Sequence, residues 1–274
     1  MTAMTAMTVD AVDSSNTARA DRAIPKRIPL TRVIAVELRK MFNTRSGFWL
    51  MASIVIAGVG TTVGIILLAP ESDLTYYTFA RAVGFPMAII LPMIATLSIT
   101  GEWSQRSGLT TFTLVPRRKR VIVAKGLASL GVGVAAMLFA FAIGAVGNLV
   151  GTAITGADLV WDVSVTEGAT IVLGSLLCLL TGTMLGMLIR SSVGALVVYF
   201  MYAFVLPSLF GVLTTSVDWF PDVRPWIDLN LAESFLFNGQ VTGEQWANVA
   251  VTAGVWIILP ALLGLRLAMR SEVK

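Results

Sequence analysis

An all-α integral membrane protein is the fold class this sequence predicts: six transmembrane helices, an N-terminal amphipathic interfacial helix ahead of them, and an external re-entrant segment before the last. Of 274 residues, 56% are hydrophobic and only 13% charged, more apolar surface than one soluble domain can bury. The surplus falls into stretches of roughly 20 uncharged residues, the length that crosses a ~30 Å hydrocarbon core at ~1.5 Å per helical residue. A β-barrel needs segments of about 10 residues alternating in polarity, and no such period occurs.

The elements follow in chain order. Residues 1–28 are polar and small, open on MTAMTAMT and lack an apolar h-region. They read as a disordered cytoplasmic tail without a signal peptide, with Met4 or Met7 as alternative starts. Over 29–46, Leu30, Val33, Ile34, Leu38, Met41 and Phe42 recur at helical spacing while Arg32, Arg39 and Lys40 fall on other faces. This predicts a helix lying at the headgroups, opened by Pro29, its apolar stripe interrupted by Glu37; an ordinary solvated helix is the alternative. Residues 47–274 form the membrane domain, with spans expected at about 47–69, 82–100, 126–150, 168–189, 193–214 and 247–267. None of these holds Asp, Glu or Lys, and Arg266 ends the last, as expected when a mid-helix charge costs about 2.5–3.5 kcal/mol to insert.

Charge placement orients the spans. Alternate loops carry 18 Lys and Arg on one side and 2 on the other. Positive charge stays inside, so both termini are expected in the cytoplasm of a multi-pass cell-membrane protein. The same alternation accounts for the net charge of +4 without nucleic acid as a partner. Between the last two spans, residues 215–246 are strongly apolar, with Trp219, Phe220, Trp226, Leu229, Leu231, Phe235, Leu236 and Phe237. Asn230 and Glu233 at capping-box spacing, with Gly239 beyond, outline a short helix there. Pro221 and Pro225 force turns, so the segment reads as re-entrant half-helices or as a lid on the interface. The spacings Gly60 to Gly64, Gly147 to Gly151 and Gly182 to Gly186 read as helix-packing sites.

Several chemistries find no residues here. Histidine is absent and cysteine occurs once, at Cys178, so zinc, haem and His-dependent hydrolase constellations have no ligands. The charge-free spans offer no nucleophile with a base and no paired carboxylates, which argues against an intramembrane enzyme. No cofactor site is expected on the chain.

The cytoplasmic loop 101–125 is the most informative stretch. Glu102 ends the second span; Leu109, Phe112, Leu114 and Val115 suit a short surface helix; Pro116 stops it before Arg117, Arg118, Lys119 and Arg120, with Lys125 at the mouth of the third span. Anchoring at lipid headgroups explains the cations by itself. The order of motifs resembles the ABC transporter permease family of type 2. The corresponding residues are Glu37 to Lys40 for an "ELRK" interfacial helix, Gly101 and Glu102 for the exit from the second helix, Gly108 with Thr110 and Thr111 for a coupling helix, and Pro116 to Arg118 for a "PRR" stretch, with Leu109 inserted where Gly-Thr is frequent.

The resemblance implies a permease half of an exporter of a lipid-like, drug or other amphipathic substrate. Its loop docks on a separate ATP-binding subunit through Glu102, Arg106, Gly108, Leu109, Phe112, Leu114, Pro116, Arg117 and Arg118, with Glu37, Arg39 and Lys40 on the interfacial helix. ATP-Mg belongs to that partner; the chain has no Gly-Lys dipeptide and so no P-loop of its own. A second permease copy or paralogue is implied, with membrane lipids around both. Path-lining candidates are Met87, Met93, Thr96 and Ser98 on the second span and Tyr199, Met201, Tyr202 and Phe204 on the fifth. A sensor or scaffold subunit and an ATP-independent secondary transporter are the alternatives.

Overall fold

The computed structural model describes residues 28–104 and 118–270, with backbone alone at 102–104, 118, 119 and 268–270. The expected tail, apart from Ile28, therefore lies outside the described residues. All regular structure among the described residues is helical. Six helices are long and apolar enough to cross a membrane, the signature of a multi-pass membrane protein. A first helix, α1 (Leu30–Asn43), precedes the spans α2 (Arg45–Leu68), α3 (Tyr76–Ser104), α4 (Arg118–Thr155) and α5 (Val165–Ile189). The fifth span is α6 (Ser192–Phe200), a π-helical stretch Met201–Val205, and α7 (Leu206–Ser216). Two short helices follow, α8 (Phe220–Ile227) and α9 (Leu229–Phe237). The sixth span is α10 (Gly243–Ala253), a π-helical stretch Gly254–Ile258, and α11 (Leu259–Arg270).

Spans two and three begin earlier than their expected starts at 82 and 126. An insertion criterion cuts a span at its first charge, but the helix continues because Arg81 is exposed and Lys125 is paired. Local chemistry fixes the ends. The Tyr77 amide donates to Asp162 Oδ1 at 2.7 Å, an acid on the positive end of α3. Capping boxes open α5 (Ser164 with Glu167) and α10 (Thr242 with Gln245), each satisfying two amides that lack helical partners. Between α5 and α6 the chain turns within two residues, Arg190 at φ 55° and Ser191, whose hydroxyl accepts from the Gly194 amide.

The third helix, α3, is the centre of the bundle. Its face Val83, Met87, Leu91 and Ala95 is fully buried against Val132, Met137 and Ala140 of α4 and Ile171 and Leu179 of α5. Lipid tails give apolar helices no reason to leave them for one another, so close van der Waals fit must hold this contact. Gly182 supplies it: a Cβ there would stand 2.4 Å from Pro92 O, and Thr96 Oγ1 donates to Gly182 O at 3.0 Å. One turn on, Gly186 meets Thr96 and Ile99, while Gly147 and Gly151 admit Phe79. Gly60 and Gly64, in contrast, have nothing within 4 Å of an added Cβ. The fifth span lies outside this core and buries almost none of its apolar length.

The glycine contacts yield a paired expectation. Gly182→Ala forces α3 and α5 apart and lowers stability by about 2 kcal/mol, as overpacking does. Gly60→Ala and Gly64→Ala stay within about 0.5 kcal/mol of the parent. Thermal unfolding of the three variants in mild detergent checks it, and equal melting temperatures would contradict the contact.

Candidate functional site

Two polar junctions interrupt the apolar bundle, one at the end of α3 and one at mid-height. The first is built on Glu37. Val33, Glu37 and Met41 form the buried face of α1, and Glu37 is only 2% exposed. An isolated carboxylate there would carry a large desolvation cost. It is matched instead: Glu37 Oε2 accepts from Lys125 Nζ at 2.6 Å, and Oε1 accepts from Lys40 Nζ at 2.8 Å. Lys125 Nζ also donates to Ser98 O at 3.2 Å. One carboxylate therefore ties α1 to α4, and the lysine between them ties both to α3. Residues 105–117 connect the ends of α3 and α4 at this junction.

Of the residues expected to dock a partner, Arg106, Gly108, Leu109, Phe112, Leu114, Pro116 and Arg117 lie outside the described residues. Glu102 and Arg118 are placed by their backbone alone, on the last turn of α3 and the first of α4. Arg39 is exposed, and Lys40 keeps 43% of its side chain open while pairing with Glu37.

The second junction is a helical hairpin, α8 and α9, with Asp228 at its tip. Asp228 Oδ1 accepts from the Leu231 amide at 3.2 Å, so Asp228, and not Asn230, is the N-cap of α9. Asp228 Oδ2 accepts from Arg224 Nε at 2.9 Å, and Arg224 Nη1 donates to Thr214 Oγ1 at 3.1 Å. Asn230, one residue too deep to cap, donates Nδ2 to Tyr202 O at 3.2 Å. That carbonyl is free for a local reason. In the π stretch Leu206 N bonds Met201 O, so Tyr202 O would next pair with residue 207, a proline with no N–H.

The hairpin reaches deep between its neighbours. Gly239 lies on Glu167, and Leu236 and Phe237 lie on Gly174. Glu233 shares a cavity wall with Cys178. Successive residues of α9 thus meet successive turns of α5, and Glu167 to Cys178 spans about 16 Å at ~1.5 Å per residue. On the sixth span, Trp256 Nε1 donates to Ile227 O at 2.8 Å. Cys178, Tyr202 and Trp256 each stand within two residues of the middle of a 25-residue span, so the tip is at mid-height of three spans at once.

A cavity of about 650 Å³ opens where the hairpin, α3, α5 and the fifth span meet, a volume suited to a small organic ligand. Tyr199, Tyr202 and Phe204 line it. Tyr199 is fixed by its hydroxyl, which donates to Ala88 O at 2.8 Å, the carbonyl that Pro92 cannot serve. The other path candidates are elsewhere. Met87 is fully buried in the core because α3 turns Tyr77, Arg81, Phe85 and Ala88 to the cavity. Thr96 is buried against α5, and the Ser98 carbonyl serves Lys125. Met93, half-buried, is not in the wall, and Met201 is exposed on the outer face.

Glu233, expected only as the capping-box partner of Asn230, caps nothing, since Asp228 is the N-cap of α9. Glu233 is 4% exposed and lines the cavity. Its Oε2 accepts from Tyr202 Oη at 3.5 Å, and its Oε1 has no hydrogen-bond partner. The spans are free of acids in their middles, yet the hairpin carries one to that height. Its sequence signal was an acid set among Leu229, Leu231, Phe235 and Leu236.

The Glu37 junction makes a thermodynamic prediction. Glu37→Leu removes the carboxylate that Lys125 and Lys40 share and costs about 3 kcal/mol, whereas Lys125→Met leaves Glu37 its Lys40 bond and costs less. The double variant Glu37→Leu/Lys125→Met removes both charges and costs less than the sum of the singles, a coupling read from a double-mutant cycle of melting curves. Additive losses would show that the pair is not coupled.

No family model matches the chain, and no curated protein matches it.

Proposed function

We propose that this chain is the membrane-spanning permease subunit of an ABC exporter, moving an amphipathic substrate outward and driven by a separate ATP-binding subunit. The observation that carries the reading is the Glu37 junction. A loop that transmits force from a motor needs a rigid mount. The carboxylate and Lys125 lock α1 to both helices between which residues 105–117 run. The order of motifs along Glu37 to Lys40 and Gly101 to Arg118 supports the same reading.

On this reading α1 lies at the cytoplasmic headgroups with both termini inside, as the distribution of Lys and Arg requires. The hairpin α8–α9 re-enters the bilayer from outside, since its tip stands at mid-height of three spans. Irregular backbone at that depth is tolerated where protein buries it, and Asp228, Asn230 and Trp256 supply the bonds. The bare fifth span suits a second permease copy or paralogue, with Val197, Met201, Leu209 and Val212 exposed along it. The chain itself is not an enzyme; ATP-Mg is held by the partner.

One observation favours a second reading, an ATP-independent secondary transporter. Such proteins place ionisable groups and interrupted helices at the midplane, and Glu233 lies beside a π-interrupted span.

Purification in mild detergent distinguishes them. The exporter reading expects an ATPase subunit to co-elute at one copy per permease, and deletion of residues 102–118 to abolish the association. Transport by vesicles holding this chain alone would overturn the exporter reading and favour the second.

A further inference from the structure

We propose that the cavity beneath the hairpin binds a hydrophobic organic monocation, an ammonium or phosphonium ion, with the Glu233 carboxylate as its counter-ion. Three features of the site lead there. The carboxyl group is 4% exposed, its Oε1 has no partner, and it faces the cavity. A buried polar atom of this kind is costly unless something completes it. No ion pair reaches Glu233 among the described residues, so burial favours its neutral acid, and a bound cation takes the place of the proton as that proton leaves to water.

The walls decide which cation. Phe85, Tyr199, Phe204 and Phe237 line the space, beside the neutral polar groups of Tyr202 and Asn230, so one acid faces walls that are largely aromatic and otherwise uncharged below the rim. A small inorganic ion would have to exchange a full hydration shell for a single carboxylate, and the described acidic, Cys and His residues form no metal-binding cluster. A large, weakly hydrated organic cation loses little water and gains from aromatic faces as well as from the acid.

The charge along the cavity is ordered. Arg81 also lines it, but it is exposed and held near Tyr77, its Cζ 6.0 Å from the ring centroid. Seven residues of α3 separate Arg81 from Ala88, where Tyr199 is anchored, about 10 Å along the helix. The guanidinium therefore marks the rim and the carboxylate the floor. At the rim water and salt weaken its repulsion of a cation below. Of the hairpin's other acids, Asp228 is already matched by Arg224 and Asp222 is exposed at the start of α8.

The proposal goes beyond the transport reading and stands without it, because binding to the chain needs no nucleotide and no partner. Equilibrium binding of radiolabelled tetraphenylphosphonium to the full chain in nanodiscs tests it, beside tetraphenylborate, a probe of the same shape and opposite charge. The parent should bind the phosphonium saturably, one per chain, and the borate only by partition into lipid. Glu233→Gln should weaken phosphonium binding at least tenfold and Glu233→Asp much less, while Arg81→Gln leaves it unchanged or tighter. A folded Glu233→Gln chain that binds like the parent overturns the proposal. Should that variant not fold, the parent decides: saturable borate binding, lost in Arg81→Gln, or absence of saturable phosphonium binding overturns it equally. Failure of an ATPase to co-elute bears on the exporter reading alone.

Discussion

Proline in an apolar helix leaves a carbonyl that neither its own helix nor water can satisfy, and the bundle is organised around the groups that answer this. Pro92 cannot donate to Ala88 O, and Tyr199 from the fifth span does so. Pro207 cannot serve Tyr202 O, and Asn230 from the hairpin does so. Pro207 and Pro260 each stand two residues beyond a π-helical stretch, where the wider turn takes the preceding carbonyls away from the proline ring. Each such bond is worth about 1 kcal/mol net, but leaving the carbonyl empty costs more. The third helix, the fifth span and the hairpin are therefore held to one another at the same height, and the cavity is the space these ties enclose.

How far the sequence discloses this depends on the range of the interaction. Apolar runs reveal the spans because insertion is a local property of about 20 residues. Gly182 and Gly186 announce a helix contact because small residues four apart make a groove, but the same spacing at Gly60 and Gly64 meets nothing. Spacing tells that a groove exists and not what fills it. Glu37 was visible as a break in an apolar stripe. Its partner was not, because Lys125 is 88 residues away and a lysine at the mouth of a span already has a sufficient explanation in topology. Glu233 was hidden for the opposite reason. It sits in a segment between spans, where an acid is unremarkable until the hairpin folds it against Cys178. Among the path candidates, Tyr199 and Tyr202 were reachable from chemistry, since a hydroxyl on an apolar helix needs a partner, whereas Phe204 has only its aromatic ring to suggest it. Met87 was not separable from them without knowing which face of α3 turns inward.

The two junctions differ in kind, and that difference bears on movement. At Glu37 two ions meet at 2.6 Å out of water, an arrangement costly to half-break, so α1, α3 and α4 behave as one block. The ties to backbone carbonyls around the cavity are neutral: a tyrosine hydroxyl, a carboxamide and an indole N–H. Neutral bonds are roughly half as strong as charge-assisted ones. The fifth span buries almost none of its length and is otherwise tied near its two ends, Ser192 to Thr100 and Thr214 to Arg224.

Displacing that span from α3 must break the Tyr199 bond and uncover Ala88 O, whereas displacing it from the hairpin must break the Asn230 bond and uncover Tyr202 O. Either movement exposes a carbonyl that needs water or a ligand to satisfy it, and both carbonyls border the space that Glu233 faces. Opening the bundle there and filling the cavity are thus linked: whatever enters has to satisfy the groups that its entry releases. A wholly apolar molecule cannot do that. A cation can, because its charge draws carbonyl oxygens as well as the acid, which ties the chemistry of the occupant to the proline positions as well as to Glu233.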